Sequence, residues 1–106
     1  MIYKFDFPTN TSFNFVHLVN NVKYKLHILY NSYADDYYMN IDRFENGSYK
    51  NILNSIKLSL GMNLFLPYKY LGIGDFYIVP TTSNVWKKEP KAESIKDNYF
   101  ILWRHN

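Results

Sequence analysis

The sequence predicts an all-β protein, a small antiparallel β-barrel or sandwich of about seven strands with little helix. Short segments alternate apolar with polar side chains, as half-buried strands do. Asn, Gly and Pro separate these segments, which recur at a spacing of roughly 8 to 12 residues. We expect residues 1–106 to form a single β domain, because a chain of this length can bury enough surface for one core.

The first third of the chain contains three predicted strands. Residues 3–7 alternate aromatic with charged side chains, whereas residues 13–19 predict a strand that is apolar on much of both faces. The alternation is cleanest over residues 22–30, which we predict to be a strand with one buried face. Asn20 and Asn21 precede it and predict a two-residue turn, because Asn tolerates the left-handed backbone conformation that a hairpin needs.

The middle of the chain predicts a second hairpin. A strand over residues 37–43 is followed by Asn46-Gly47, a strong hairpin signal, and then by a further strand. Its apolar positions are expected to be Ile52, Ile56, Leu58 and Leu60. A helix over residues 49–58 is the alternative, which the Asn and Ser residues of that span disfavour.

The chain is organised around residues 56–79. A strand over residues 56–60 and another over residues 76–79 flank an apolar, aromatic connection at residues 61–74. Pro67 lacks a backbone donor and the glycines permit positive φ, so a folded crossover rather than one regular element is expected there.

The last quarter of the chain combines a loop with a strand. Residues 81–97 predict a long loop, and loops of that length in compact domains are commonly functional. Residues 98–104 predict a final strand with two apolar faces. Such a strand lies centrally in the fold or contributes to an interface.

Composition excludes several classes of protein. The chain has no cysteine, which excludes a disulfide scaffold and thiolate chemistry. No apolar run approaches the ~20 residues that a membrane span requires, and no signal peptide is apparent. Aromatic residues make up 20% of the sequence, more than a small core consumes, so several are expected at a surface or interface.

The residues that could support catalysis are not arranged as a recognisable site. His17, His27 and His105 have no further ligand at metal-binding spacing, and Asp35 and Asp42 resemble turn and strand-end acids. A small hydrolase would need a closed pocket holding two of Asp35, Asp42, His17 and His27. We therefore expect no catalytic residue, cofactor or metal site.

Single-stranded nucleic acid binding is the main alternative function. Small β-barrels bind such strands by stacking bases on aromatic side chains within a cationic groove. Lys23, Lys25 and His27 could supply the cations. The aromatic side chains, however, mostly occupy the opposite face of the predicted strands, so nucleic acid is not the expected partner.

From about Phe13 onward the order of features resembles the phage baseplate plug protein family, small β proteins of contractile tails. Five segments carry the resemblance: Tyr24-Lys25-Leu26, Tyr37-Tyr38-Met39-Asn40-Ile41, Gly61-Met62-Asn63-Leu64-Phe65, Phe76-Tyr77-Ile78-Val79 and Leu102-Trp103. Asn31, Asn46-Gly47, Tyr68, Leu71, Gly72, Gly74 and Pro90 fall in the expected places between them. The family often has Trp where this chain has Tyr37-Tyr38, and an acid where it has Asn63.

The resemblance implies a structural subunit of the virion, made in the bacterial host cytoplasm and located in the tail baseplate. It would help to close the end of the tail tube, in multiple copies, and contact the hub, spike or tape-measure protein. It implies no enzyme and no cofactor. The aromatic side chains that we expect at interfaces are Phe65, Tyr68, Trp86, Tyr99 and Trp103.

Overall fold

The computed structural model describes residues 1–82 and 89–106. Within those residues the strands are β1 (Ile2–Asp6), β2 (Phe13–Val19), β3 (Val22–Asn31), β4 (Asp36–Glu45), β5 (Ser48–Lys57), β6 (Asp75–Pro80) and β7 (Tyr99–Arg104). A 3₁₀ segment spans Leu66–Leu71, and a single helical turn, α1, spans Ile95–Asn98.

The described strands lie in two antiparallel sheets that pack face to face. One sheet has the order β2-β3-β4-β5 and the other the order β1-β7-β6. The sheets are separate and do not close, so the predicted all-β architecture is confirmed as the sandwich rather than the barrel. The last strand, β7, pairs with β1 on one side and with β6 on the other.

Two tight turns connect strands of the four-stranded sheet, as the sequence predicted. Asn20 and Asn21 have φ of 51° and 66°, and Asn46 and Gly47 have φ of 52° and 85°. Two successive positive φ values give the turn that matches the twist of adjacent strands. The turns set the register of the sheet, because Val19 lies opposite Val22.

The pairing of β4 with β5 corrects the predicted pattern of β5. Ile41 pairs with Leu53 whereas Met39 pairs with Ile56, so β5 carries one extra residue between them. A second irregularity follows beside Ile41. Each extra residue reverses which side chains face inward. Leu53 is therefore buried and Ile52 only half-buried, contrary to the predicted two-residue period.

The crossover also differs from the prediction at its start. β5 ends at Lys57, not at Leu60, although Leu58 still donates its main-chain N–H to the carbonyl of Tyr37 at 2.9 Å. Leu60 forms only an isolated parallel bridge with Ile78. The folded crossover expected over residues 61–74 is present and contains the 3₁₀ segment.

The core lies between the two sheets. The four-stranded sheet contributes Leu26, Ile28, Met39 and Ile41, and the three-stranded sheet contributes Phe76, Ile78, Ile101 and Trp103. Along one side of the sandwich, ring contacts join β1 to β2, with the Phe5 and Phe15 centroids 4.8 Å apart. Burial of this apolar area, at roughly 25 cal/mol per Å², is the main force that holds the sheets together.

Candidate interaction surfaces

The structure describes four of the five predicted interface residues, and these four lie in two different environments. Phe65, Tyr99 and Trp103 are buried in the core of this chain, and Tyr68 is half-buried against that core. Trp86 lies outside the described residues. In this fold a partner can reach only Tyr68 among the four that are described, and its contact with a partner remains a prediction.

Trp103 fixes the crossover to β7. Its indole Nε1–H donates a hydrogen bond to the main-chain oxygen of Ile73 at 2.6 Å. Its ring packs edge-on against Phe65 and Phe76, each with centroids 5.6 Å away. A buried indole needs such an acceptor, because an unpaired N–H in the core is costly. Trp103 is thus a structural anchor beneath the surface of the crossover.

The crossover displays large apolar side chains to solvent. Met62, Leu66 and Tyr70 are exposed, Leu66 by 59% and Tyr70 by 80%. We call these three residues the crossover patch. Their backbone is held by the core contacts of the buried neighbours Leu64 and Phe65. Apolar side chains presented on an anchored connection suit contact with another protein surface.

The outer face of the three-stranded sheet is also apolar. Tyr77 and Val79 of β6 and Phe100 and Leu102 of β7 lie on this face and are half-buried. The ammonium of Lys4 lies 4.6 Å from the centroid of the Phe100 ring. The two apolar faces predicted for the last strand are therefore present: one lines the core and the other faces outward.

The outer face of the four-stranded sheet combines lysines with aromatic rings. The Lys23 ammonium lies 5.5 Å from the Phe44 centroid, and the Lys25 ammonium lies 5.4 Å from the Tyr49 centroid. Strand alternation did not predict these outward-facing rings, because it places most aromatic side chains on inward-facing positions. The hairpin after Glu45 brings Phe44 and Tyr49 opposite each other.

The candidate catalytic side chains are divided among separate locations. His27 and Asp42 meet on the outer face of the four-stranded sheet, with Nε2 and Oδ2 2.9 Å apart. Partial burial opposes ionisation of Asp42, but hydrogen bonds from Asn51 and His27 outweigh it and lower the pKa of this carboxyl. Asp35 lies at the β3–β4 turn, where it accepts hydrogen bonds from the Tyr30 hydroxyl and a main-chain N–H.

His17 lies on the inner face of β2 and pairs with His105. Their Nε2 atoms are 2.8 Å apart, and the His17 ring also contacts Tyr3 and Trp103. Burial, and then the nearby His105, lower the pKa of His17. One imidazole must be neutral to accept the hydrogen bond from the other. The pair therefore ties β2 to the end of β7.

Two other features are absent from residues 1–82 and 89–106. No group of three or more His, Cys, Asp or Glu side chains that could hold a metal ion occurs within residues 1–82 and 89–106. No helix in the described part of the chain is both long and apolar enough to cross a membrane.

The fold and its surfaces define a class of protein: a small β-sandwich with aromatic side chains in its core and apolar side chains on its outside. A comparison with protein families matches residues 2–106 to the family described as cyanophage baseplate Pam3 plug gp18. The chain belongs to this phage baseplate plug family. A comparison with curated proteins finds no match.

Proposed function

We propose that this protein is a structural subunit of a contractile phage tail, located in the baseplate at the end of the tail tube. The observation that carries the proposal is the family match over nearly the whole chain. In this role the subunit helps to close the tube and contacts the hub, spike or tape-measure protein. It is made in the host cytoplasm and incorporated into the virion in several copies.

The surfaces of the domain support a binding role. The crossover patch presents Leu66 and Tyr70 to solvent from a connection that is fixed to the core. The cores of interfaces between subunits are enriched in aromatic side chains and Met, and Tyr70 and Met62 of the crossover patch are of this kind. We propose the crossover patch, with Tyr68 at its base, as a contact with a neighbouring baseplate protein.

Substitution of the crossover patch tests this assignment. The double variant Leu66→Ser and Tyr70→Ser should fold with an unchanged melting temperature, because both side chains are exposed. It should fail to restore tail assembly to a phage that lacks this gene. The matched control is Tyr33→Ser, which removes an exposed ring from the β3–β4 turn. Normal tails from the double variant would rule out the patch as a required contact.

Nucleic acid binding is the second candidate, favoured by one observation. Two lysines lie over two aromatic rings on the outer face of the four-stranded sheet. The Asp42 carboxylate lies on the same face beside Lys25, which weakens its positive potential. Titration of a labelled single-stranded oligonucleotide at low salt decides this question, since electrostatic binding is strongest there. Absence of binding at low salt eliminates the candidate.

A further inference from the structure

β2 is an edge strand whose outer side has no partner strand within the described residues. It pairs with β3 on one side only. That pairing is unbroken over seven residue pairs, from Phe13 opposite Ile28 to Val19 opposite Val22. An edge strand this regular presents a row of unpaired backbone groups to any second strand of suitable shape.

The tight turn determines which backbone groups face outward. In a hairpin with a two-residue turn, the flanking residues Val19 and Val22 exchange both hydrogen bonds, and every second residue along the strand does the same. The residues between them direct their N–H and C=O groups away from β3. These residues are Asn14, Val16 and Leu18. Tyr30 lies an even number of residues after Val22 in β3, so its N–H also points toward the chain of β2. It donates a hydrogen bond to Ser12 Oγ at 2.9 Å, just before β2 begins.

β2 lacks the features that usually protect an edge. It contains no charged residue and no proline, and its side chains Val16 and Leu18 are 48% and 52% exposed. The opposite edge, β5, differs in having two irregularities and lysines at positions 50 and 57. Bulges and lysines prevent strand addition, so of the two edges of the four-stranded sheet β2 is the one that remains open to it.

We propose that β2 pairs antiparallel with β2 of a second copy of this chain, about a twofold axis at Val16. Val16 then lies opposite Val16, and Asn14 lies opposite Leu18. The three pairs exchange about six main-chain hydrogen bonds, two for each pair of outward-facing residues. On the inner face Phe15 lies opposite His17, so aromatic rings meet across the new junction.

The charges around β2 favour a second copy over an acidic strand. The lysines on β3 lean away from the edge, because Lys23 lies over Phe44 of β4 and Lys25 over Tyr49 of β5. They are therefore poorly placed to attract an acidic partner. In the paired form the two β3 strands are three strand spacings apart, which is about 14 Å. This distance exceeds the ~8 Å over which salt screens charges at physiological ionic strength, so the lysines of the two copies interact weakly. Self-pairing consequently brings no strong repulsion.

Sedimentation of the full chain at increasing concentration tests the pairing, which does not depend on the proposed role in the tail. The wild type should form a dimer with a dissociation constant below about 1 mM. Val16→Pro removes an outward N–H without touching the β2–β3 ladder, so it should weaken dimerisation at least about tenfold while circular dichroism stays unchanged. Val16→Ala retains that N–H and should keep most of the dimer.

Val16→Lys supplies a second test that does not alter the backbone. It places two like charges opposite each other at the axis and should also weaken dimerisation at least about tenfold. Amide exchange at positions 14, 16 and 18 should slow as the wild-type concentration rises. A monomeric wild type overturns the proposal and leaves the edge to a strand of another protein. Dimerisation of both folded variants at wild-type strength overturns it as well.

Discussion

The side-chain nitrogen of Asn63 lies 2.7 Å from Oδ1 of Asp75 and joins the crossover to the start of β6. The Asn63 oxygen accepts hydrogen bonds from the main-chain N–H groups of Phe65 at 3.0 Å and Phe76 at 2.9 Å. Asp75 in turn accepts a hydrogen bond from Arg104 at 2.6 Å. The Arg104 hydrogen bond, aided by Asn63 against partial burial, lowers the pKa of Asp75. One amide side chain therefore sets the geometry of the crossover.

Replacing Asn63 should destabilise the fold. Asn63→Ala leaves two main-chain N–H groups without their acceptor, and we expect the free energy of unfolding to fall by about 2 to 4 kcal/mol. Asn63→Asp keeps the acceptor but places a second carboxylate beside Asp75. The two carboxylates repel each other while both are ionised, so the loss of unfolding free energy in this variant should become smaller as the pH falls below about 4. Urea unfolding measures both. A loss below about 0.5 kcal/mol for Asn63→Ala would contradict this role.

Two glycines with positive φ should respond differently to alanine. Gly61 has φ of 75° and open space around it, whereas a Cβ at Gly74, with φ of 88°, would overlap the Arg104 carbonyl oxygen and lie 2.8 Å from His105 Cβ. Gly61→Ala should cost about 1 kcal/mol through backbone strain alone. Gly74→Ala should cost at least about 3 kcal/mol, because β7 must also move. Equal melting temperatures for the two variants would argue against this close approach.

Acid should destabilise the protein through His17. The pKa of His17 in the folded state is below the ordinary value of histidine, so the unfolded chain takes up the proton first as the pH falls. The stability contributed by neutral His17 is present above pH ~6.5 and is lost as the pH falls through the lowered pKa. His17→Phe keeps an aromatic ring beside Trp103 and should flatten this decline between about pH 7.5 and 5.5. An identical slope in wild type and variant would refute the assignment.

Trp103 should contribute to stability through both its volume and its hydrogen bond. Trp103→Ala should lower the free energy of unfolding by about 3 to 5 kcal/mol. Trp103→Phe retains most of the ring but leaves the Ile73 carbonyl without its donor, and should lower it by about 1 to 3 kcal/mol. From its place in the sequence-predicted loop, we expect Trp86→Ala to weaken partner binding with little change in melting. Equal melting losses for Trp86→Ala and Trp103→Ala would contradict this contrast.

Local signals account for the parts of the fold that the sequence predicted well. The turns at Asn20-Asn21 and Asn46-Gly47 depend on the residues that occupy them, and the inward face of β3 follows from strict alternation. The irregular pairing of β5 depends on a contact across the sheet, where Asn40 Oδ1 accepts the Ser55 N–H at 2.8 Å. Nothing within the β5 sequence alone reveals that contact, so Leu53 was not predicted to face inward.

The surfaces were harder to predict than the strands. His17 and His105 are 88 positions apart, and only the packing of β2 against β7 brings their rings together. Aromatic content indicated that some rings serve interfaces, but it could not separate core rings such as Phe65 from exposed ones such as Tyr70. Burial depends on the folded crossover, and periodicity gives no guide over residues 61–74.

The composition of purified tail particles tests the baseplate role most directly. Quantitative mass spectrometry should find this chain at a fixed ratio to the tube protein, and electron microscopy of tails carrying a labelled copy should place the label at the baseplate end. Absence of the chain from assembled tails, while it is abundant in the lysate of infected cells, would contradict the proposed baseplate role.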